Sequence, residues 1–391
     1  MPAFAPFPAI RYADDDLADV IAPPYDVLSD ADVDRLTARS EHNIVRVDVP
    51  RGGADRYATA ATVLTSWLAK GVLVADAGPS FTIYRMRFID ATGVRREIAG
   101  VIGGLEVVDE GAGGVLPHER TTPKASTDRL DLTRATRANL SPVWGLSLAR
   151  GLTDLLREPG EPVGEVVEDG VTHTVQRIVD PDRIAAISDR LAGDDVLIAD
   201  GHHRYAIART YRDEVRAATG GSAGPAEQTM AFVNELVADQ LSVEAIHRLY
   251  ADVSPTDLRT ALERSFELTA MERPTDATLA AMVNEGFLVL VEAGSCWQLR
   301  VRPGAFTGVR ALDGAWLETA LADLPVTVTY QHGRAEAIAA VDSGAAAAAV
   351  LIRPVSVAEI ERTAREGLLM PPKSTFFTPK LKTGFLIRPL G

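Results

Sequence analysis

Asp200, Gly201, His202, His203 and Arg204 stand in a row where the short apolar run VLIA (196–199) gives way to a helical pattern, YAIARTYRDEV (205–215). A strand ending at Asp200, a glycine that lets the backbone turn and a helix starting at His202 or His203 together predict an anion site. Backbone N–H groups at a helix N-terminus lack intrahelical partners, and the macrodipole favours negative charge there. Arginine adds a planar fork of donors, and histidine donates to a phosphoryl group or relays protons near it. The chemistry expected is phosphate binding by Gly201, His203 and Arg204, with His202 as an acid–base candidate. Asp200 can hold a Mg2+ ion or orient a histidine. The plainer alternative is a helix start with an aspartate cap and two surface histidines. Zinc is disfavoured, because adjacent histidines point apart and the chain has no HExxH or CxxC partner.

Two further stretches carry the same kind of chemistry. In GGVLPHERTTPKASTDRLDLTRATRANLSPVWGL (113–146), Glu119 beside His118 is an acid–base candidate, a carboxylate able to orient an attacking hydroxyl. Residues 117–150 hold six Lys or Arg (Arg120, Lys124, Arg129, Arg134, Arg137 and Arg150) against three acids, so the basic excess is local. Arg120, Lys124, Arg134 and Arg137 are the phosphate-binding candidates among them; a solvated helix face is the alternative. In MPPKSTFFTPKLKTG (370–384), which also holds Lys380 and Lys382, Lys373, Ser374 and Thr375 can close over phosphates with one ammonium and two hydroxyls. This is not a Walker A loop, since the glycines before the lysine are missing; a C-terminal strand docked by Phe376 and Phe377 serves equally well. His247-Arg248 is a weaker cationic pair. His42, His173 and His332 stand alone and read as structural, and Cys296 as a small buried side chain.

The elements that must position these residues are legible in part. Ser29 with Asp32 is a capping box for a helix in 21–36, and 55–71 is a second helix stopped by Gly71. FTIYRMRFI (81–89) and VRREIAGVI (94–102) form a hairpin, and another turns at Glu168-Asp169-Gly170. Asp180 caps a helix with Pro181 at its first position. Thr127 caps a helix ending near Asn139, on which Arg134 and Arg137 share a face. Strands are expected near 229–236, 241–249, 286–302 and 345–352, with helices at 255–266 and from Ser356. The fold class expected is α/β (α+β), in two lobes with mixed sheets. The lobes are 1–220, carrying the PHER and DGHHR motifs, and 221–391, whose PPKST segment returns to the site. The basic, turn-rich segments 113–137 and 370–382 are expected to converge on His203.

The 391 residues are 46% hydrophobic and 24% charged, which excludes wholesale disorder. Forty Lys and Arg against 54 Asp and Glu give a net charge of −14, which disfavours nucleic acid and anionic membranes as partners. One cysteine excludes an intramolecular disulfide. The N-terminus lacks a charged region followed by an apolar run, and GAAAAAVLI (344–352) is far short of the roughly 20 residues that span a bilayer, so a cytoplasmic location is expected.

Taken together, HERTTPKASTDRLDLTRATRANLSPVWGL, ADGHHRY and MPPKSTFFTPK resemble the bacterial and archaeal domain-of-unknown-function family 1015, from APPYDVL (22–28) to the last strand. The DGHHR turn is also similar to the strand–Gly-x-His-Arg–helix element of the ParB/sulfiredoxin-like superfamily, which includes free-serine kinases. That resemblance implies nucleotide phosphates at Gly201, His203 and Arg204, and a glutamate as base for the substrate hydroxyl. His202 stands where a sulfiredoxin would need cysteine. The function expected is a nucleotide-dependent phosphotransferase (kinase) using ATP or ADP with Mg2+ on a small hydroxylated metabolite such as free L-serine. The alternatives are a nucleotide-binding ParB-like sensor without turnover and a His-dependent phosphatase.

Overall fold

The Pro-rich N-terminus forms a two-residue strand, β1 (Phe4–Ala5), and a three-residue strand, Ile10–Tyr12, which pairs with Leu73–Ala75; the helices α1 (Asp30–Arg39) and α2 (Arg56–Ala69) follow. In this computed structural model, which describes residues 1–14, 16–91, 93–119 and 126–391, the capping box forms as expected. The Ser29 hydroxyl accepts from the Asp32 amide at 3.2 Å, and the Asp32 carboxylate accepts from the Ser29 amide at 3.1 Å. The expected hairpin is β2 (Phe81–Ile89) with β3 (Arg95–Glu106). After it come β4 (Val115–Pro117), α3 (Ser126–Thr136), β5 (Val143–Ser147), the hairpin β6 (Glu161–Glu168) and β7 (Val171–Ile178), and α4 (Pro181–Leu191). Asp169 and Gly170 turn that hairpin with positive φ at both positions, the primed turn that matches strand twist. β8 (Val196–Asp200), α5 (His202–Thr219) and β9 (Gln228–Glu235) follow.

Among the described residues nine strands make one mixed sheet in the order β4-β8-β5-β9-β3-β2-β7-β6, with β1 against β3. β4 and β8 are parallel, as are β5 and β9; the other pairs are antiparallel. The α/β class with mixed sheets is therefore observed. Phe4, Phe81, Val101, Ile198, Val233 and Leu191 of α4 share a core from which water is excluded, each contributing about 1.5–3 kcal/mol by burial.

The chain divides into two units, Met1–Leu241 with Pro379–Gly391, and Ser242–Thr378. This differs from the 220/221 boundary because β9 completes the first sheet between β5 and β3, and because the last residues rejoin the first unit. The second unit has a six-stranded antiparallel sheet in the order 266–271, 295–301, 288–292, 348–351, 246–251, 327–332. The run expected as one strand over 241–249 is two: Ser242–Glu244 pairs with Phe376–Thr378, and Ile246–Ala251 joins the large sheet. Helices Pro255–Glu263 and Val357–Arg365 are capped by Ser254 and Ser356. No helix among the described residues is long and apolar enough to cross a membrane.

Gly100 of β3 admits no side chain. A Cβ there would lie 2.4 Å from the Phe232 ring and 2.8 Å from the Val233 carbonyl oxygen. Since the carbonyl belongs to a neighbouring strand and cannot step aside, Gly100→Ala is expected to destabilise the protein by about 1–3 kcal/mol. A chemical-denaturation midpoint equal to that of the wild type would contradict this packing.

Candidate functional site

The two strongest sequence motifs meet through one strand pairing. β4 and β8 run parallel in the register Val115↔Val196, Leu116↔Leu197, Pro117↔Ile198. His118-Glu119 and Asp200-Gly201 therefore leave neighbouring strands at the same, carboxyl end, which is where open α/β sheets place ligands. Opposite β5, the register of β8 shifts between Ile198 and Asp200, a local irregularity of the kind that re-aims side chains beside functional sites. Gly201 then takes the left-handed conformation (φ 86°, ψ 28°) and α5 begins at His202. The first N–H groups of a helix lack intrahelical partners, and those of α5 follow directly on the end of β8.

The charges at this turn are closely coupled. The Arg204 guanidinium folds back over Gly201, so that a Cβ on that glycine would lie 3.0 Å from its Cζ and Nε. It donates to the Pro142 carbonyl, and through Nη2 to Asp200 Oδ2 at 3.2 Å. Lys380 Nζ lies 3.5 Å from the same carboxylate oxygen. Burial opposes ionisation of Asp200, yet Lys380, Arg204 and His202 outweigh it and hold the carboxyl at about 2. Burial likewise works against the charge on Arg204, but Asp200, Asp26, Tyr25 and Asp48 raise its pKa further. Asp200 is thus permanently anionic and already bonded to cations. That donor set does not suit Mg2+, which needs open oxygen ligands. Among the described residues no group of three His, Cys, Asp or Glu side chains is arranged for a metal. Asp200, the carboxylate expected to hold Mg2+, is the hub of an ion-pair group with Arg204 and Lys380.

His118 is fully buried. Its Nδ1–H donates to the Ile198 carbonyl at 2.5 Å, an assignment that follows because a carbonyl only accepts. Burial pushes its pKa down to about 4, against that bond and the field of Asp200. It is therefore neutral near pH 7 and a weak base. Its ring lies 4.9 Å from that of His202. Glu119, the next residue, is half-buried.

Beside the turn, α3 and α5 flank an open cleft lined by Tyr25, Asp48, Arg129, Asn139, Ser141 and Arg204 among others. Arg129 lies 4.3 Å over the Tyr25 ring and donates to the Asp48 carbonyl at 2.5 Å and to the Asp128 carboxylate at 3.0 Å. Asp48 is buried, and burial raises its pKa despite Arg129 and Arg204. Tyr25 and Asp48 sit in no motif that sequence reading singles out, and Arg129 is only one of six basic residues in its stretch.

Arg134 bonds Glu214 at 2.9 Å and Asp131 at 2.6 Å, an exposed ion-pair group. α3 ends at Thr136 rather than near Asn139, because Ala138–Asn139 pairs with Arg388–Pro389. Arg137, with φ 49°, is exposed beyond the helix and does not share the Arg134 face. The side chain of Thr127, the expected cap, lies outside the described residues, as do Arg120 and Lys124. Lys373, Ser374 and Thr375 belong to the second unit, where the Lys373 carbonyl accepts from Arg248 at 3.1 Å and Ser374 Oγ donates to the Pro371 carbonyl at 2.7 Å. His332 does not stand alone: it bonds Glu244 at 2.5 Å and packs on Phe376.

A family model described as "Protein of unknown function (DUF1015)" matches residues 4–315. No match was found among curated proteins. Among solved structures, the chain is similar to a conserved hypothetical protein from Pyrococcus furiosus, with 12% identity, TM-score 0.38, and 70% of this chain and 92% of the other covered. It is also similar to a free serine kinase in complex with AMP (12%, TM-score 0.38, 70% and 89%). A third is SbnI with C-terminal truncation from Staphylococcus aureus (12%, TM-score 0.40, 73% and 87%). Likeness at this level decides nothing about activity.

Asp200→Asn leaves Arg204 and Lys380 without their carboxylate, and is expected to lower stability by about 1–3 kcal/mol near neutral pH. The folded carboxyl titrates at about 2, below the roughly 3.9 of an unfolded chain. Its contribution is therefore complete above about pH 4 and is lost as pH falls toward 2. Denaturant melts of the two proteins between pH 7 and pH 3 should converge as the pH drops; a constant gap would contradict the ion-pair origin.

Proposed function

The chain belongs to the DUF1015 family, and we propose that it is a nucleotide-dependent phosphotransferase acting on a small hydroxylated metabolite, free L-serine being the first to test. What supports this is the juxtaposition of Glu119 with the Gly201 turn at one end of two parallel strands. A carboxylate and a cation-rich helix N-terminus then share one edge of the sheet. Phosphoryl transfer asks a protein mainly for position and charge. In this reading the N–H groups at the start of α5, with His202 and His203, hold the phosphates of ATP or ADP. Arg204, clamped between Pro142 and Asp200, lends its charge and shapes the turn. Glu119 accepts the proton of the metabolite hydroxyl as its oxygen attacks the terminal phosphorus, and the nucleotide leaves one phosphate shorter.

A second reading is a nucleotide sensor without turnover, favoured by the engagement of Asp200 with two cations where a kinase would want an open metal ligand.

Incubation with ATP or ADP, Mg2+ and a pool of hydroxylated metabolites separates the readings. Mass spectrometry should find a phosphorylated metabolite, whereas nucleotide binding without product selects the sensor. Glu119→Gln should reduce kcat by roughly 10²–10⁴-fold with nucleotide Kd within a few-fold. A lowered melting temperature with unchanged turnover per folded molecule would remove Glu119 from the site.

A further inference from the structure

Among the described residues four strands end the two large sheets. Three of them carry the devices that keep an edge from pairing with another chain, namely shortness, proline, charge or a bulge. In the first sheet, β4 is three residues long and closes on Pro117. β6, at the other end, holds Pro162 and three glutamates and loses register against β7 at Val175/Gln176. In the second sheet, Phe266–Met271 carries Glu267. The fourth edge, Thr327–His332, has none of these devices. Its sequence TVTYQH contains no proline, glycine, Asp, Glu, Lys or Arg. It keeps unbroken register over its whole length against Ile246–Ala251, and the four consecutive residues Thr327 to Tyr330 are exposed. Among the described residues Ile246–Ala251 is its only ladder partner. Alternate residues of the strand therefore turn their backbone N–H and C=O groups outward.

We infer that Thr327–Gln331 is a self-association edge, pairing antiparallel with the same segment of a second copy of this chain about a two-fold axis through Thr329. The axis stands perpendicular to the sheet, the one direction that reverses a strand and keeps each side chain on its own face. The resulting interface is isologous and joins the two six-stranded sheets edge to edge. The sequence around Thr329 suits this arrangement. Val328 comes opposite Tyr330 of the partner subunit, and the same pair recurs on the other side of the axis. Thr329 comes opposite its own copy. Aromatic with β-branched, and threonine with threonine, are pairs that stabilise an antiparallel ladder. Val328 and Tyr330 are both exposed and share one face of the strand. The Tyr330 ring is already set in place by the Arg248 guanidinium, 4.8 Å from its centre, so little freedom is left for it to lose on pairing. Charge favours a second copy at this edge over other parts of the surface. The chain carries a net charge of −14, and two copies meet here without setting like charges opposite each other. The charged groups nearby flank the paired stretch: Asp252 accepts from the Thr327 hydroxyl at 2.7 Å at one end, and His332 bonds Glu244 at the other.

The paired stretch is short, so the dimer belongs to the weak, concentration-dependent class, and the test is sedimentation velocity of the full-length chain over about 1–100 μM. The wild type should pass from the mass of one chain to that of two across this range. Thr329→Lys and Thr329→Glu each set like charges against each other on the axis, and each should raise the dimer Kd by about tenfold or more. Mixed in equal amounts, the two variants should dimerise again, because opposite charges then meet. A change that merely loosened the fold would give no such rescue. Should a Thr329 variant fail to fold, Val328→Lys, at the neighbouring exposed position, should weaken the same dimer. A wild type that stays monomeric throughout would overturn the inference, and so would one whose dimer Kd is unchanged by all of these substitutions. Thr329 variants that associate no better mixed than alone would overturn it as well.

Discussion

Everything at the candidate site follows from three residues of parallel backbone pairing, Val115–Pro117 against Val196–Ile198. A parallel pair cannot be closed by a tight turn and needs a long connection. Here the connection contains α3, β5, the β6–β7 hairpin and α4. A slip of one residue would exchange the two faces of the strand and move Asp200-Gly201 out of step with His118-Glu119. The bond from His118 to the Ile198 carbonyl, made across this ladder by a fully buried side chain, closes its end. Burial keeps that histidine neutral, which spares the sheet an uncompensated charge.

Around the ladder's end the charges form one partly buried group of Asp200, Arg204 and Lys380. Replacing a largely buried ion group by apolar side chains is often neutral or favourable in proteins, so the Asp200–Arg204–Lys380 group is weakly explained by stability alone. Its geometry accounts for it better. The carboxylate is held by the Gly201 amide and by Arg204, which fixes where the cations sit relative to the first N–H groups of α5. Arg204 in turn is wedged against a glycine whose left-handed backbone no other residue adopts easily. The turn is therefore held by contacts within the chain itself, and on the proposed phosphate-binding reading a preformed site of this kind would bind without a large ordering penalty.

The neighbouring cleft obeys the same logic with different chemistry. Arg129 is flattened on Tyr25 and bonded to both Asp48 and Asp128, so its charge is directional and little entropy remains for it to lose. Arg134, one turn further along α3, faces Glu214 and solvent instead. Two arginines of one basic stretch thus have unlike roles, one walling a cleft and the other forming an exposed pair of the kind worth little to stability.

Sequence alone determined what depends on a few neighbouring residues. The Ser29–Asp32 capping box, Pro181 after its Asp180 cap, the Asp169-Gly170 turn and the strand–glycine–helix switch at Asp200 all form where their residue types require. Each is an interaction spanning four residues or fewer, so the alphabet itself carries it. Tertiary structure decided what depends on distant segments competing for the same space. It ended α3 at Thr136 because residues 388–389 pair with 138–139, and it set β9 in the first sheet. It also brought Lys380 to Asp200 across 180 residues of chain, adding a second cation to the one that Arg204 supplies from four residues away. No local pattern encodes those choices, since the partner of a strand edge or a buried charge is whichever segment the packing of the whole unit brings within reach.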